Sequence, residues 1–203
     1  MPGRSATPPS PILPNPMATD PGKAERERLQ RPGARVAFVV STFHYELTGA
    51  MLRSAQRELA ASGLREEDMP VAEVPGAFEL PIVARRFARR PDVDAVICLG
   101  LVLKGETTHD RYVAQGATDG IRSVMLETDK PVLLGVLTCD TLEQARARAL
   151  APEEGGEQDK GRALAIAALE VLEALDVASR PEGRRSVGFR TSADEPQTLR
   201  ETP

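Results

Sequence analysis

The sequence predicts an α/β protein: a three-layer α/β/α sandwich built on a four-stranded parallel sheet. Two observations carry that expectation. Four short apolar runs, at 35–40, 71–74, 94–99 and 131–137, read as buried strands, the run at 94–99 being apolar at consecutive positions after its first residue. Between them lie stretches with apolar residues at three- and four-residue steps, so helices connect the strands and the strands run parallel.

Taken in order, Arg35-Val-Ala-Phe-Val-Val40 is the first strand, followed by the turn Ser41-Thr-Phe-His-Tyr-Glu46. The next helix carries Leu47, Leu52, Ala55 and Leu59 on one side and has Gly63 as its cap. Val71–Val74 is the second strand; Pro75 and Gly76 then turn the chain into a helix with Leu80, Val83 and Phe87 on one stripe. The third strand is Asp94–Leu99. The helix after it, from about Asp110, buries Val113, Ala117, Ile121 and Val124. Pro131–Leu137 is the fourth strand, and Thr138-Cys-Asp-Thr141 caps a helix facing inward with Leu142, Ala145 and Ala149. After a polar break at 153–160, the last helix runs from Gly161 to about Leu175, burying Leu164, Ala167, Ala168, Val171, Leu172 and Leu175.

The expected domain covers 34–177, with tails on either side. Residues 1–33 carry prolines at 2, 8, 9, 11, 14, 16, 21 and 32 and read as disordered, apart from a charged helix over 24–30. Met17 inside this stretch is an alternative start. Residues 178–203 are rich in Arg, Glu and Pro and read as a second disordered tail.

Composition narrows the function. Aromatics are 3% of the 203 residues and the net charge is −4, which argues against nucleic acid as a partner. Two cysteines, Cys98 and Cys139, cannot build a disulfide framework or a four-thiolate zinc site, and Cys98 reads as core. No apolar run approaches the roughly 20 residues that cross a bilayer, nor the core of a secretory signal, so a cytoplasmic protein is expected.

Ligands of open parallel sheets bind beyond the carboxyl ends of the strands. Those ends are Ser41–Glu46, Pro75–Glu79, Leu101–His109 and Leu137–Thr141. They hold neither a G-x-G-x-x-G nor a P-loop, no acidic cluster of the phospho-receiver kind, and no set of metal ligands. What they hold is different. Leu99-Gly-Leu-Val-Leu-Lys-Gly-Glu-Thr-Thr-His-Asp110 ends a buried strand in two glycines bracketing Lys104, an acid, two hydroxyls and one of only two histidines.

Backbone N–H groups at Gly105–Thr108, with the Thr107 and Thr108 hydroxyls and Lys104, suit a phosphate; the plainer reading is that a threonine only caps the helix. His109 is of the residue type most often used for proton transfer near neutral pH, and is otherwise a structural histidine. Phe43 and Phe78 each follow a strand and offer flat apolar faces to a heterocycle. Glu79 can accept hydrogen bonds from hydroxyls or amines, or merely favour a helix start. Arg148, taken alone, is a solvated charge.

These residues together resemble a known family. Val74-Pro-Gly-Ala-Phe-Glu-Leu-Pro81, Leu99–His109, Pro131-Val-Leu-Leu-Gly-Val-Leu-Thr138 and Asp159-Lys-Gly161 are similar, in order, to 6,7-dimethyl-8-ribityllumazine synthases. The resemblance implies a flavodoxin-like fold and the condensation of 5-amino-6-(D-ribitylamino)uracil with 3,4-dihydroxy-2-butanone 4-phosphate. No cofactor or metal is implied. It places Phe43 on the pyrimidine ring, Ala77, Phe78 and Glu79 on the ribityl side, and Leu101, Val102, Leu103 and Leu134 around the pyrimidine. Glu106, Thr107 and Arg148 would hold the phosphate, supported by Lys104, Thr108 and Lys160, and His109 would be the general acid/base.

The family assembles as pentamers with sites between adjacent subunits, some of them forming larger shells. The resemblance therefore assigns Leu134 and Arg148 to a neighbouring copy. The break before Lys160 is longer than in shell-forming relatives, which predicts a free pentamer or a pair of pentamers. Four positions depart from the family pattern: Lys104 for an arginine, Leu134 for an aromatic, His44 for an asparagine, and Ala163 for an acid after Lys160-Gly161. A non-catalytic lumazine- or flavin-binding homologue, or a shell-forming scaffold, is the alternative expectation.

Overall fold

The structure, a computed structural model, describes residues 28–180. Its order is β1 (Val36–Ser41), α1 (Tyr45–Ala61), β2 (Val71–Val74), α2 (Leu80–Ala88), β3 (Ala95–Leu103), α3 (His109–Thr128), β4 (Val132–Cys139), α4 (Leu142–Ala149) and α5 (Lys160–Ala178). Single turns of 3₁₀ helix at Glu66–Asp68, Ala77–Glu79 and Pro152–Glu154 punctuate it.

The four strands form one parallel sheet in the order β2-β1-β3-β4. Alternate residues of β1 divide the core between two faces. Val36, Phe38 and Val40 pack with Met51, Leu59, Ala145, Ala165 and Leu172 under α1, α4 and α5. Ala37 and Val39, with Val96 and Cys98, pack under α2 and α3 against Leu80, Ala84, Ala117 and Ile121. Cys98 is fully enclosed there, and burial pushes its thiol up to about 12.

Three strand expectations need correction. β4 is an edge strand in which only Val132, Gly135 and Cys139 are buried, and it runs on through Thr138 and Cys139, which were expected in the helix cap, because both still pair with β3. β2 is an edge strand with Val71 and Glu73 exposed, so four residues of pairing to β1 hold it rather than two-sided burial. β3 continues past Leu99 to Leu103, and the reason is pairing. Beyond Val40–Leu99 it loses β1, but β4 accompanies it from Gly100–Val136 to Leu103–Cys139.

The chain on the N-terminal side of β1 is also more engaged than its composition suggests. Leu29 packs on the core, the Arg31 N–H donates to the Ser62 carbonyl at 2.9 Å, and Arg28 pairs with Glu58. Residues 28–30 have no regular secondary structure; the rest of the 24–30 helix, and the tails at 1–27 and 181–203, lie outside the described residues.

The candidate active site at the carboxyl ends of β1 and β3

A flavodoxin-type strand order reverses direction between β1 and β3, and the main cleft opens at that point. It encloses about 680 Å³. Because β3 outruns β1, the backbone edge of Leu101–Leu103 that faces β1 has no neighbouring strand, and these residues form one wall.

The opposite wall comes from the loops after β1 and β2, which are tied together. The Thr42 and Phe43 N–H groups donate to the Val74 and Pro75 carbonyls at 2.8 and 3.1 Å. This brings Phe43 beside Ala77, Phe78 and Glu79. The Glu79 carboxylate accepts from the Gly76 N–H at 3.0 Å, closing the 3₁₀ turn on itself. Gly100 permits the approach: a Cβ there would stand 3.0 Å from Leu80 Cδ1 and 3.3 Å from the Ala77 Cβ. The aromatic rings stay open to the cleft, Phe43 being 63% and Phe78 60% exposed.

The floor is the start of α3. His109 is its first residue and lines the cleft with Thr107 and Gly105. Thr108 occupies the N-cap position but makes no side-chain cap; the Thr107 hydroxyl accepts from the His109 N–H at 3.4 Å. Lys104 closes the β-ladder by donating its N–H to the Cys139 carbonyl at 2.9 Å. No hydrogen bond among the described residues uses the N–H groups of Gly105–Thr108, which are exposed at a helix N-terminus, a setting that favours an anion.

The structure therefore brings Phe43, Ala77, Phe78, Glu79, Leu101, Val102, Leu103, Thr107 and His109 into one cleft. Other expected residues lie elsewhere. Lys104 and Arg148 line a second, more polar cleft of about 800 Å³, with Arg111, Asp140 and Gln144. There Lys104 pairs with Asp140 at 3.5 Å, and Arg148 donates to the Gln144 carbonyl of its own helix at 2.9 Å. Leu134 is exposed on the edge strand β4, and Glu106, Thr108 and Lys160 line neither cleft.

Sequence reasoning also passed over Tyr112, Val113 and Asp110, which line the main cleft. Helical spacing would have found the first two, since they follow His109 by three and four residues. Among the described residues no group of three or more His, Cys, Asp or Glu side chains is placed to hold a metal, and no helix is long and apolar enough to cross a membrane.

Fold and site together define a flavodoxin-like α/β protein with an aromatic, histidine-bearing cleft beyond its strand ends. Comparison with known proteins gives the family. The family model for 6,7-dimethyl-8-ribityllumazine synthase matches residues 33–176. Proteins of that name from Thermus thermophilus are 43% identical over 153 residues, covering 75% of this chain and 94% of theirs. That of Salinibacter ruber is 45% identical over 139 residues, covering 68% of this chain and 86% of its own, and that of Protochlamydia amoebophila is 38% identical over 154, covering 76% and 87%. The chain belongs to the 6,7-dimethyl-8-ribityllumazine synthase family.

Proposed function

We propose that the cleft of Phe43, Phe78 and His109 is one half of an active site completed by Leu134 and Arg148 of an adjacent copy of the chain. The reaction is that of the family: a transferase condenses 5-amino-6-(D-ribitylamino)uracil with 3,4-dihydroxy-2-butanone 4-phosphate, the penultimate step of riboflavin synthesis, giving 6,7-dimethyl-8-ribityllumazine. The observation that carries the two-copy reading is a separation. His109 and the aromatic walls line one cleft, whereas Arg148 lines an adjoining one that shares only Val102 and Asp110 with it, and there it donates to the Gln144 carbonyl of its own helix.

In this reading the pyrimidine lies on Phe43 against the open edge of Leu101–Leu103. The ribityl chain runs past Ala77, Phe78 and Glu79. Glu106, Thr107 and the free N–H groups before α3 take the phosphate, which the neighbour's Arg148 neutralises as a planar bidentate cation. Lys104, Thr108 and Lys160 support that anionic end.

The chemistry is proton management. The 5-amino group attacks the ketone, water leaves to form an imine, phosphate is eliminated, and ring closure expels a second water. His109 delivers and removes the protons, an effect typically worth 10²–10⁴-fold. Holding both substrates in one geometry supplies more, up to roughly 7–11 kcal/mol of barrier.

We place the enzyme in the cytoplasm, where its two buried thiols stay reduced, and in a pentamer or a pair of pentamers. The domain of 34–177 carries the activity, with the flanking tails dispensable to it. The test is hybrid assembly. His109→Ala and Arg148→Ala proteins, each inactive alone, regain lumazine formation when unfolded together and refolded, because some sites then combine two intact halves. No recovery in assembled hybrids defeats the shared site; no acceleration by the wild-type protein over the spontaneous reaction defeats the function. A sedimenting particle in the megadalton range would overturn the small assembly.

A further inference from the structure

We propose that Gly116, in the middle of α3, is a positioning residue for the Phe78 ring and thereby for the ribityl side of the cleft. The inference rests on the function proposed above, which sets Phe78 against the aminouracil substrate. A Cβ on Gly116 would stand 2.5 Å from Phe78 Cε2 and 3.0 Å from Cδ2, and its three nearest atoms all belong to that ring. Carbon atoms at rest sit at roughly 3.5–4.0 Å. The ring therefore lies on bare helix backbone, closer than any side chain at position 116 would allow.

The position of this glycine on the helix agrees with that role. Gly116 follows Tyr112 and Val113 by four and three residues, so it continues the stripe of α3 that lines the cleft. Glycine weakens a helix interior relative to alanine, so its presence in mid-helix calls for a reason, and the ring supplies one.

The ring is also free to respond. Phe78 belongs to the single 3₁₀ turn Ala77–Glu79 and is largely exposed away from α3. A methyl group at 116 pushes it off the helix without breaking the fold. By contrast, Gly120 faces the Pro81 ring, whose Cγ would lie 2.6 Å from an added Cβ and which cannot swing aside.

Steady-state kinetics of Gly116→Ala test the idea. A ring displaced by about an ångström predicts a tenfold rise, roughly, in KM for the aminouracil, with kcat and KM for the butanone phosphate within about twofold. In a Phe78→Ala background the same substitution then adds less than about twofold, since the obstructing ring is gone. The ring is read separately by ¹⁹F NMR of fluorophenylalanine-labelled protein, the Phe78 signal being the one lost in Phe78→Ala. Gly116→Ala shifts that signal and leaves those of Phe38 and Phe87 in place. An unmoved Phe78 signal, equal rises in both KM values, or an undiminished rise without the ring overturns the proposal. A wild-type protein that forms no lumazine overturns the proposed function instead, and the ¹⁹F shift still decides where Gly116 sets the ring.

Discussion

The seam between α1 and α5 and the rim of the main cleft are both rich in polar side chains, and they treat them in opposite ways. In the seam, Glu58 is only 7% exposed and accepts from Arg28 Nε at 2.9 Å and Arg162 Nε at 2.8 Å. Beside it, Ser54 Oγ donates to Asp159 Oδ2 at 2.8 Å, and Asp159 Oδ1 accepts from the Arg162 N–H at 3.0 Å. Gly161 lies so close to the Met51 carbonyl that no Cβ fits.

On the rim, the His109 imidazole has no hydrogen-bond partner among the described residues, and Phe43 and Phe78 face outward. In the seam, Glu58, Ser54 and Asp159 find their partners within the chain. Where the chain leaves polar groups open beside exposed aromatic rings, the proposed partner is a bound substrate.

The largest test of that contrast is on the rim. His109→Ala lowers the rate of lumazine formation by about 10²–10⁴-fold, with stability within about 0.5 kcal/mol of wild type. Parallel denaturation and activity measurements separate the two, and a large loss of stability would place His109 with the seam. The seam should behave inversely. Gly161→Ala forces a methyl into the α1 backbone and costs about 2–3 kcal/mol in chemical denaturation, while KM values of the folded protein hold.

Glu58→Gln costs less, about 1–2 kcal/mol, because its two arginines are half-exposed and return to water. Its pH dependence has a definite sign. Burial alone would raise the Glu58 carboxyl, but the hydrogen bonds from Arg28 and Arg162 outweigh it and hold the group below its ordinary value of 4.5. Stability from this group is therefore present in full above about pH 4.5 and is lost as pH falls through the folded-state value. The gap between wild type and Glu58→Gln closes on acidification; a constant gap would show that charge is not its source.

The smallest effect belongs to His44. This residue holds φ 58° at the start of α1 and sets its ring edge-on to Phe43, the centroids 4.4 Å apart. Asparagine tolerates the same left-handed backbone, so His44→Asn changes stability by less than about 0.5 kcal/mol. A larger effect, measured by thermal melts, would mean that the ring contact holds the rim.

Much of this was legible along the chain. The cores of β1 and β3, the stripes of α1 to α4, the N-cap at Thr141 and the strand-end residues around Phe43, Phe78 and His109 were readable, because each is a local pattern of residue type and spacing. The α5 stripe was only half readable: Ala168 and Leu172 are buried as expected, but Ala165 and Leu169 join them while Val171 and Leu175 are exposed, because the direction from which α1 packs on α5 sets the buried face. The apolar run of β3 ends at Leu99 in the sequence, and Gly100 and Lys104 look like turn signals. Its partner β4, thirty-odd residues later in the chain, overrules them. Composition places Arg28 and Leu29 in a tail, yet Glu58 and the core claim them.

What the sequence determined by itself is the order of elements and the family. Periodicity and motif are carried by neighbours in the chain. Only the tertiary structure decided which side chains meet. It set Phe43 beside Phe78 through the tie between the β1 and β2 loops, opened the Leu101–Leu103 edge, and put Arg148 in a different cleft from His109. It also put the Phe78 ring on the bare backbone of Gly116. Such juxtapositions depend on strand order, on where one strand outruns another, and on the ångströms a missing Cβ leaves free. None of these is a property of any short stretch of chain.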